Sequence, residues 1–289
     1  MRSLSKFMGE HLDFTPESFP KYFRNLTLKT KANWPARREP AIALGSDEGI
    51  PIPNLANRRR IQGQGALDDA EAKDFRPGGR FDVRCVLNVM EVCGPQNFGQ
   101  NSRVLDWGVG CGRMARHLPE RLRPGLAGID VDPINIEWCL KYMPFGEYKC
   151  VDPYGRAPFS DRQFDLIYSH SVMTHLKPDD QAHWLRELAR ISRGTMIISI
   201  HGMYDVGMTR WSHEVEPLVR WMGQGIIGGK NQNQDIADVT PAGYYTDVHM
   251  TAKYIYDVWS EFVDVYDIVI GGFGYAHDAV VCSPKGVRI

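Results

Sequence analysis

The run Val104-Leu105-Asp106-Trp107-Gly108-Val109-Gly110-Cys111-Gly112-Arg113 constrains this chain more than any other stretch. Val104 and Leu105 read as the buried end of a strand, Asp106 closes it, and Gly108, Gly110 and Gly112 make a turn. Glycine reaches positive φ without steric cost and lets a ligand approach bare backbone. A helical pattern is expected from about Arg113, and a helix start there would aim unpaired N–H groups at a ligand. Such a loop binds a nucleotide-type cofactor, and its spacing decides which one.

A dinucleotide fingerprint requires G-x-G-x-x-G, with the third glycine allowing close helix–strand packing. Here the third glycine comes one residue early and Arg113 stands in its place. A nicotinamide-dependent oxidoreductase is therefore poorly matched, though it stays as an alternative. The pattern V-L-D-x-G-x-G-x-G instead resembles motif I of class I S-adenosylmethionine-dependent methyltransferases.

Later stations fall in the same order. Ala127-Gly128-Ile129-Asp130-Val131-Asp132 reads as a second strand ending in acid, with Asp130 18 residues after Gly112. A carboxylate so placed accepts ribose hydroxyls in dinucleotide folds. Asp132-Pro133 suits a helix start, with Asp as cap and Pro in the first turn. Tyr148–Val151 is a short strand candidate ending at Asp152, where the family has an acid near the adenine amino group. The run Pro158–Ser169 resembles the family's fourth strand, and the segment upstream of the loop resembles a bacterial subgroup.

The resemblance implies an α/β fold: a Rossmann-like, seven-stranded, mostly parallel sheet with helices on both faces and a final antiparallel strand. It implies S-adenosyl-L-methionine as cofactor, held by Asp106, Gly108, Val109, Gly110, Asp130, Val131, Asp152 and Ser169. A binding module that kept the fold and lost turnover is a further alternative.

Composition narrows the partners. A net charge of −1 lacks the basic excess of a nucleic-acid binder, although residues 21–60 are locally basic and include Arg58, Arg59 and Arg60. Asp152-Pro153-Tyr154 lacks one proline of the D-P-P-Y signature of nucleic-acid amino-methyltransferases and follows the third strand, not the fourth. Six cysteines form no C-x-x-C pair and no ligand-like cluster with histidine, so no metal is expected. No signal peptide or membrane-length apolar stretch is visible, and a cytoplasmic protein is expected.

Along the chain, residues 1–66 read as irregular, and 1–79 as an extension that caps the core or the cofactor mouth. Residues 80–289 read as the methyltransferase domain, beginning with a helix from Arg80 to about Cys93. Helical periodicity returns over Asp179–Ser192, and Thr195–Ile200 reads as a buried strand ending at His201. Residues 203–250 show no clear elements and read as a substrate-binding insert or lid. Thr251 can cap a helix carrying Ile255, Val258, Trp259 and Phe262. Val263–Ile270 and Asp278–Cys282 then form the last two strands.

Methyl transfer from a sulfonium is an in-line displacement that depends on holding donor and acceptor at contact distance. A hydroxyl acceptor must also lose a proton, usually to a nearby His, Asp or Lys. His201, His249 and His170 are the candidate bases, while His175, in Ser171-Val172-Met173-Thr174-His175-Leu176, is expected to steady the local chain. These histidines favour oxygen as acceptor, on a small molecule or glycan such as a sugar.

Overall fold

The computed structural model describes residues 40–68, 74–93, 98–99, 101–206, 215–231, 234–273 and 277–289. The first 39 residues of the N-terminal extension lie outside them. Seven strands form one sheet: β1 (Val104–Trp107), β2 (Leu126–Asp130), β3 (Glu147–Cys150), β4 (Phe164–Ser169), β5 (Ser192–Ile200), β8 (Val263–Val269) and β9 (Asp278–Pro284). Their order is β3-β2-β1-β4-β5-β9-β8. Neighbours are parallel from β3 to β5, whereas β9 runs antiparallel to both β5 and β8.

Side-chain alternation explains why the central strands are apolar throughout. Val104, Leu166 and Ile197 pack on one face with Val83, Val86 and Leu87 of helix α2 (Phe75–Cys93). Leu105, Ile167, Met196 and Ile198 pack on the other with Trp184, Leu185 and Leu188 of helix α4 (Pro178–Ile191). A parallel strand covered on both faces must be apolar at successive positions. Helix α3 (Pro133–Tyr142) starts where Asp132 caps it, its carboxylate accepting from the Ile134 amide at 3.0 Å. From β1 the chain builds outward through β2 and β3, then returns to the other side of β1 with β4. That reversal opens a crevice beyond the carboxyl ends of the strands, where ligands bind in open α/β sheets.

Four expectations need correction. No α-helix follows the glycine loop; Ala115–His117 and Glu120–Gly125 form 3₁₀ turns. Pro119 forces the preceding Leu118 into an extended conformation (ψ 136°), which leaves no room for a helix to propagate. Residues 1–66 are not irregular throughout, since Leu55–Gln62 forms helix α1, and α2 starts five residues earlier than Arg80. The segment 203–250 is not structureless: it holds helix α5 (Val215–Gln224) and an antiparallel hairpin of β6 (Ile226–Asn231) and β7 (Thr246–Met250). A parallel bridge between His201 and His249, with the Met250 amide donating to His201 O at 2.8 Å, fastens β7 to the end of β5. Thr251 then caps helix α6 (Ala252–Val258) through the Tyr254 amide.

Candidate active site

The glycine loop is held in shape by its own backbone and by β2. Gly108, Gly110 and Gly112 have φ of 79°, 52° and 75°, the left-handed region that favours glycine. The Gly108 and Val109 amides donate to Ile129 O at 2.8 and 3.1 Å. The Gly110 amide donates to Asp130 Oδ2 at 2.7 Å, and the Asp132 amide to Asp130 Oδ1 at 2.9 Å. Burial pushes the Asp130 carboxyl up to about 6, against the pull of these amides. Behind the loop, Asp106 is buried and accepts from the Tyr168 hydroxyl at 2.9 Å. Burial raises it to about 7, opposed by that hydrogen bond.

A cleft open to solvent on its outer side lies over this loop. Asp106, Gly108, Val109, Gly110, Asp130 and Val131 all line it, with Val151 beside them. Asp152 and Ser169 are not among its walls. Asp152 is exposed and turned to the Tyr154 amide at 2.8 Å, and Ser169 is fully buried at the end of β4.

Arg60 of α1 closes one side of the cleft. Its guanidinium donates to Asp132 Oδ2 at 2.5 Å, to Asp235 O at 2.6 Å and to Asp238 Oδ1 at 3.0 Å. It thereby joins the N-terminal segment, the end of β2 and the turn before β7. Ile61 rests on the loop itself, since a Cβ added at Gly110 would lie 2.5 Å from Ile61 Cγ2.

The opposite wall carries Arg113, His170, Ser171, Tyr244 and Tyr245. Arg113 Nη2 lies 2.6 Å from Asp82 Oδ2 and 3.2 Å from His170 Nδ1. A guanidinium only donates, so Nδ1 accepts and the imidazole proton sits on Nε2. Burial, with help from the Arg113 charge, holds His170 well below the usual imidazole range. His170 is therefore neutral with its basic nitrogen engaged.

Ser171 sits at φ 60°, a conformation that costs a residue with a side chain energy and that clusters at functional sites. Its amide donates to Ser199 Oγ at 2.6 Å, and its hydroxyl lies 3.3 Å from His175 Nε2. The His175 ring stacks on Tyr245 at 4.1 Å.

His201 and His249 are buried behind this wall and do not line the cleft. His201 Nδ1 lies 2.9 Å from Asp247 Oδ1, and His249 Nε2 lies 2.7 Å from Asp205 Oδ2. The two rings stack at 5.1 Å, and His201 is 6.0 Å from the His175 ring. His277 bridges His170 and His201, with ring separations of 4.6 and 4.8 Å.

The five histidines thus form one layer, although His170 is the one of the three candidate bases that reaches the cleft. Sequence reasoning passed over Arg60, Ser171 and Tyr245. Ser171 and His175 stand four residues apart in the chain, but the positive φ at Ser171 has no signature in the residue types.

The sequence profile of a methyltransferase domain family matches residues 104–194, from β1 into β5. Among solved structures, the TehB-like SAM-dependent methyltransferase of Corynebacterium glutamicum is similar at 17% identity over 71% of this chain and 87% of its own, with a TM-score of 0.42. The 1,6-didemethyltoxoflavin-N1-methyltransferase of Burkholderia thailandensis is similar at 11% identity over 95% and 92%, with a TM-score of 0.48. Magnesium protoporphyrin IX methyltransferase of Synechocystis is similar at 14% identity over 79% and 93%, with a TM-score of 0.47.

The cleft suits S-adenosylmethionine in kind: a bare glycine loop, a buried carboxylate next to it and apolar walls. Among the described residues, no helix is long and apolar enough to cross a membrane. The family match over residues 104–194 thus takes in the glycine loop, the acid at the end of β2 and the strands from β1 into β5 of the β3-β2-β1-β4-β5-β9-β8 sheet, and this part of the chain is similar to a methyltransferase domain.

Proposed function

We propose that the enzyme methylates a hydroxyl of a small polar molecule, such as a sugar, and that Ser171 and His175 take up its proton. The observation that supports this reading is the Ser171 hydroxyl, on the cleft wall and 3.3 Å from His175 Nε2. S-adenosylmethionine, when bound, supplies an electrophilic methyl group on a sulfonium.

In this reading Asp130 accepts the ribose hydroxyls, and the amides of the glycine loop approach the methionine part. Asp106 holds the loop from behind, and Val131 and Val151 flank the base. The acceptor lies against Ser171, Tyr244 and Tyr245, with Arg113 and His170 as fixed donors. His170 is a poor base because Arg113 occupies its Nδ1, so it positions the acceptor. The acceptor hydroxyl donates to Ser171 Oγ, which passes a proton to His175 as the oxygen attacks the methyl carbon in line. His201 and His249, each set against an aspartate, stand behind as a polar layer and are not given the base role here. Excluding water then rests on the hairpin wall of Tyr244 and Tyr245 and on the Arg60 closure.

The test is a screen of hydroxyl and amine acceptors with radiolabelled methyl donor, comparing wild type with Ser171→Ala and His175→Ala. The expected result is transfer to a hydroxyl compound that both substitutions depress with cofactor affinity retained. Transfer to amines alone, undisturbed by either substitution, contradicts the reading.

A further inference from the structure

The structure assigns to His201, Asp247 and His249 a buried divalent-metal site that pins the β6–β7 hairpin to the end of β5. One ligand atom from each of the three side chains lies within 4.8 Å of the other two. The residues are 7%, 2% and 3% exposed, so the set is enclosed by protein.

The fold brings them together by register. Asp247 and His249 are two apart on β7 and therefore project to the same face. The bridge between His201 and His249 sets the third residue beside them. In sequence the three are separated by 46 and two positions, which is why no ligand spacing is visible there.

Three features suit a metal. The His201 Nδ1 to Asp247 Oδ1 separation of 2.9 Å matches two donors about 2 Å from one ion. Asp205, 2.7 Å from His249 Nε2, supplies the carboxylate partner that metal-bound histidines carry as an outer contact. Asp247 is almost fully buried, at 2% exposed, and sets a carboxylate oxygen beside the two imidazoles, a mixed nitrogen and oxygen donor set. Two imidazoles and a carboxylate favour a borderline ion such as Zn²⁺, Fe²⁺ or Co²⁺ over Mg²⁺ or Ca²⁺.

The consequence is positional. Tyr244 and Tyr245, which wall the cleft, immediately precede β7, so an ion here fixes that wall while touching neither the glycine loop nor Asp130. The inference is independent of the acceptor chemistry proposed above.

The test uses full-length protein without a histidine tag, dialysed against chelator and titrated with Co²⁺ and Zn²⁺. Co²⁺ is followed by its visible absorption and Zn²⁺ by calorimetry, with S-adenosylhomocysteine binding measured on the same samples. The expected result is one ion per chain, a raised melting temperature on Zn²⁺ addition, and loss of stoichiometric binding in Asp247→Asn and His249→Ala. Asp205→Asn is expected to weaken Zn²⁺ about 10–100-fold, the range for an outer carboxylate. Retained S-adenosylhomocysteine binding shows that a variant is folded. No Co²⁺ or Zn²⁺ binding by the wild type, or equal binding by folded His249→Ala, overturns the assignment and leaves two histidine–aspartate ion pairs.

Discussion

The amide of Gly110 donates to the carboxylate of Asp130 at 2.7 Å, so the loop after β1 and the acid ending β2 form one unit before any cofactor arrives. Pre-formed contacts of this kind reduce the ordering cost of binding.

Cofactor affinity is expected to depend on the ionised form of Asp130. Burial holds its carboxyl at about 6, above the ordinary 3.8. In the proposed binding mode ribose hydroxyls donate to the charged form, so affinity is steady above that pH and falls as pH drops through it. Calorimetric titration with S-adenosylhomocysteine across this range checks the sign. Asp130→Ala removes hydrogen bonds to a charged group worth about 1.5–3 kcal/mol each, which predicts a loss of at least tenfold at any pH above 6.

Ser171→Ala and His175→Ala are expected to lower kcat by about 10²-fold or more, the range for a lost general base. S-adenosylhomocysteine affinity should hold within about a factor of two or three, because the loop is held by Ile129 and Asp130 of β2. Ser171→Gly relieves the φ of 60° but removes the hydroxyl, so it should be as inactive as Ser171→Ala while melting no lower. Steady-state kinetics with melting curves separate the two effects.

Arg60→Ala is expected to loosen the cleft mouth. The substitution removes bonds to Asp132, Asp235 and Asp238 together and leaves the nearly buried Asp132 carboxylate without this cation. Faster release of S-adenosylhomocysteine and faster proteolysis around residues 234–240 are the expected outcomes, by stopped flow and timed digestion. Arg60→Lys should rescue little, because one ammonium cannot reproduce a fork that engages three partners.

Asp106 makes stability fall with rising pH. Its folded-state pKa of about 7 lies above the ordinary 3.8, so the folded form keeps a proton that the unfolded chain has released. Its contribution is complete below 3.8 and is lost as pH rises through about 7, at up to about 1.4 kcal/mol per unit. Asp106→Asn retains an acceptor for Tyr168 and should flatten that part of the profile in chemical unfolding without ligand.

What was legible in the chain is what local chemistry fixes. The glycines of the loop, the apolar runs of β1, β4 and β5 and the capping residues Asp132 and Thr251 carry their structures in their own types and spacing. The helix expected from about Arg113 is replaced by 3₁₀ turns because Pro119 holds Leu118 extended, which ends any helix there. Helix α1 shows little apolar periodicity, burying Asn57 and Arg58, and Arg60 on its last turn meets partners 72 and 178 residues away. β6 opens with Ile226 and Ile227 followed by two glycines, which reads as loop, while β7 is buried on both faces yet carries Asp247 and His249. Those charges make sense only against His201 and Asp205, and no one-dimensional pattern brings the four together.

Binding of S-adenosylmethionine at the glycine loop is tested most directly by thermal unfolding with S-adenosylmethionine, S-adenosylhomocysteine and NAD, each at large excess. A ligand at 100 times its Kd adds about 2.7 kcal/mol of stability. The predicted result is a raised melting temperature with both sulfur nucleosides, none with NAD, and loss of the shift in Asp130→Ala. A shift with NAD alone, or an undiminished shift in Asp130→Ala, would contradict it.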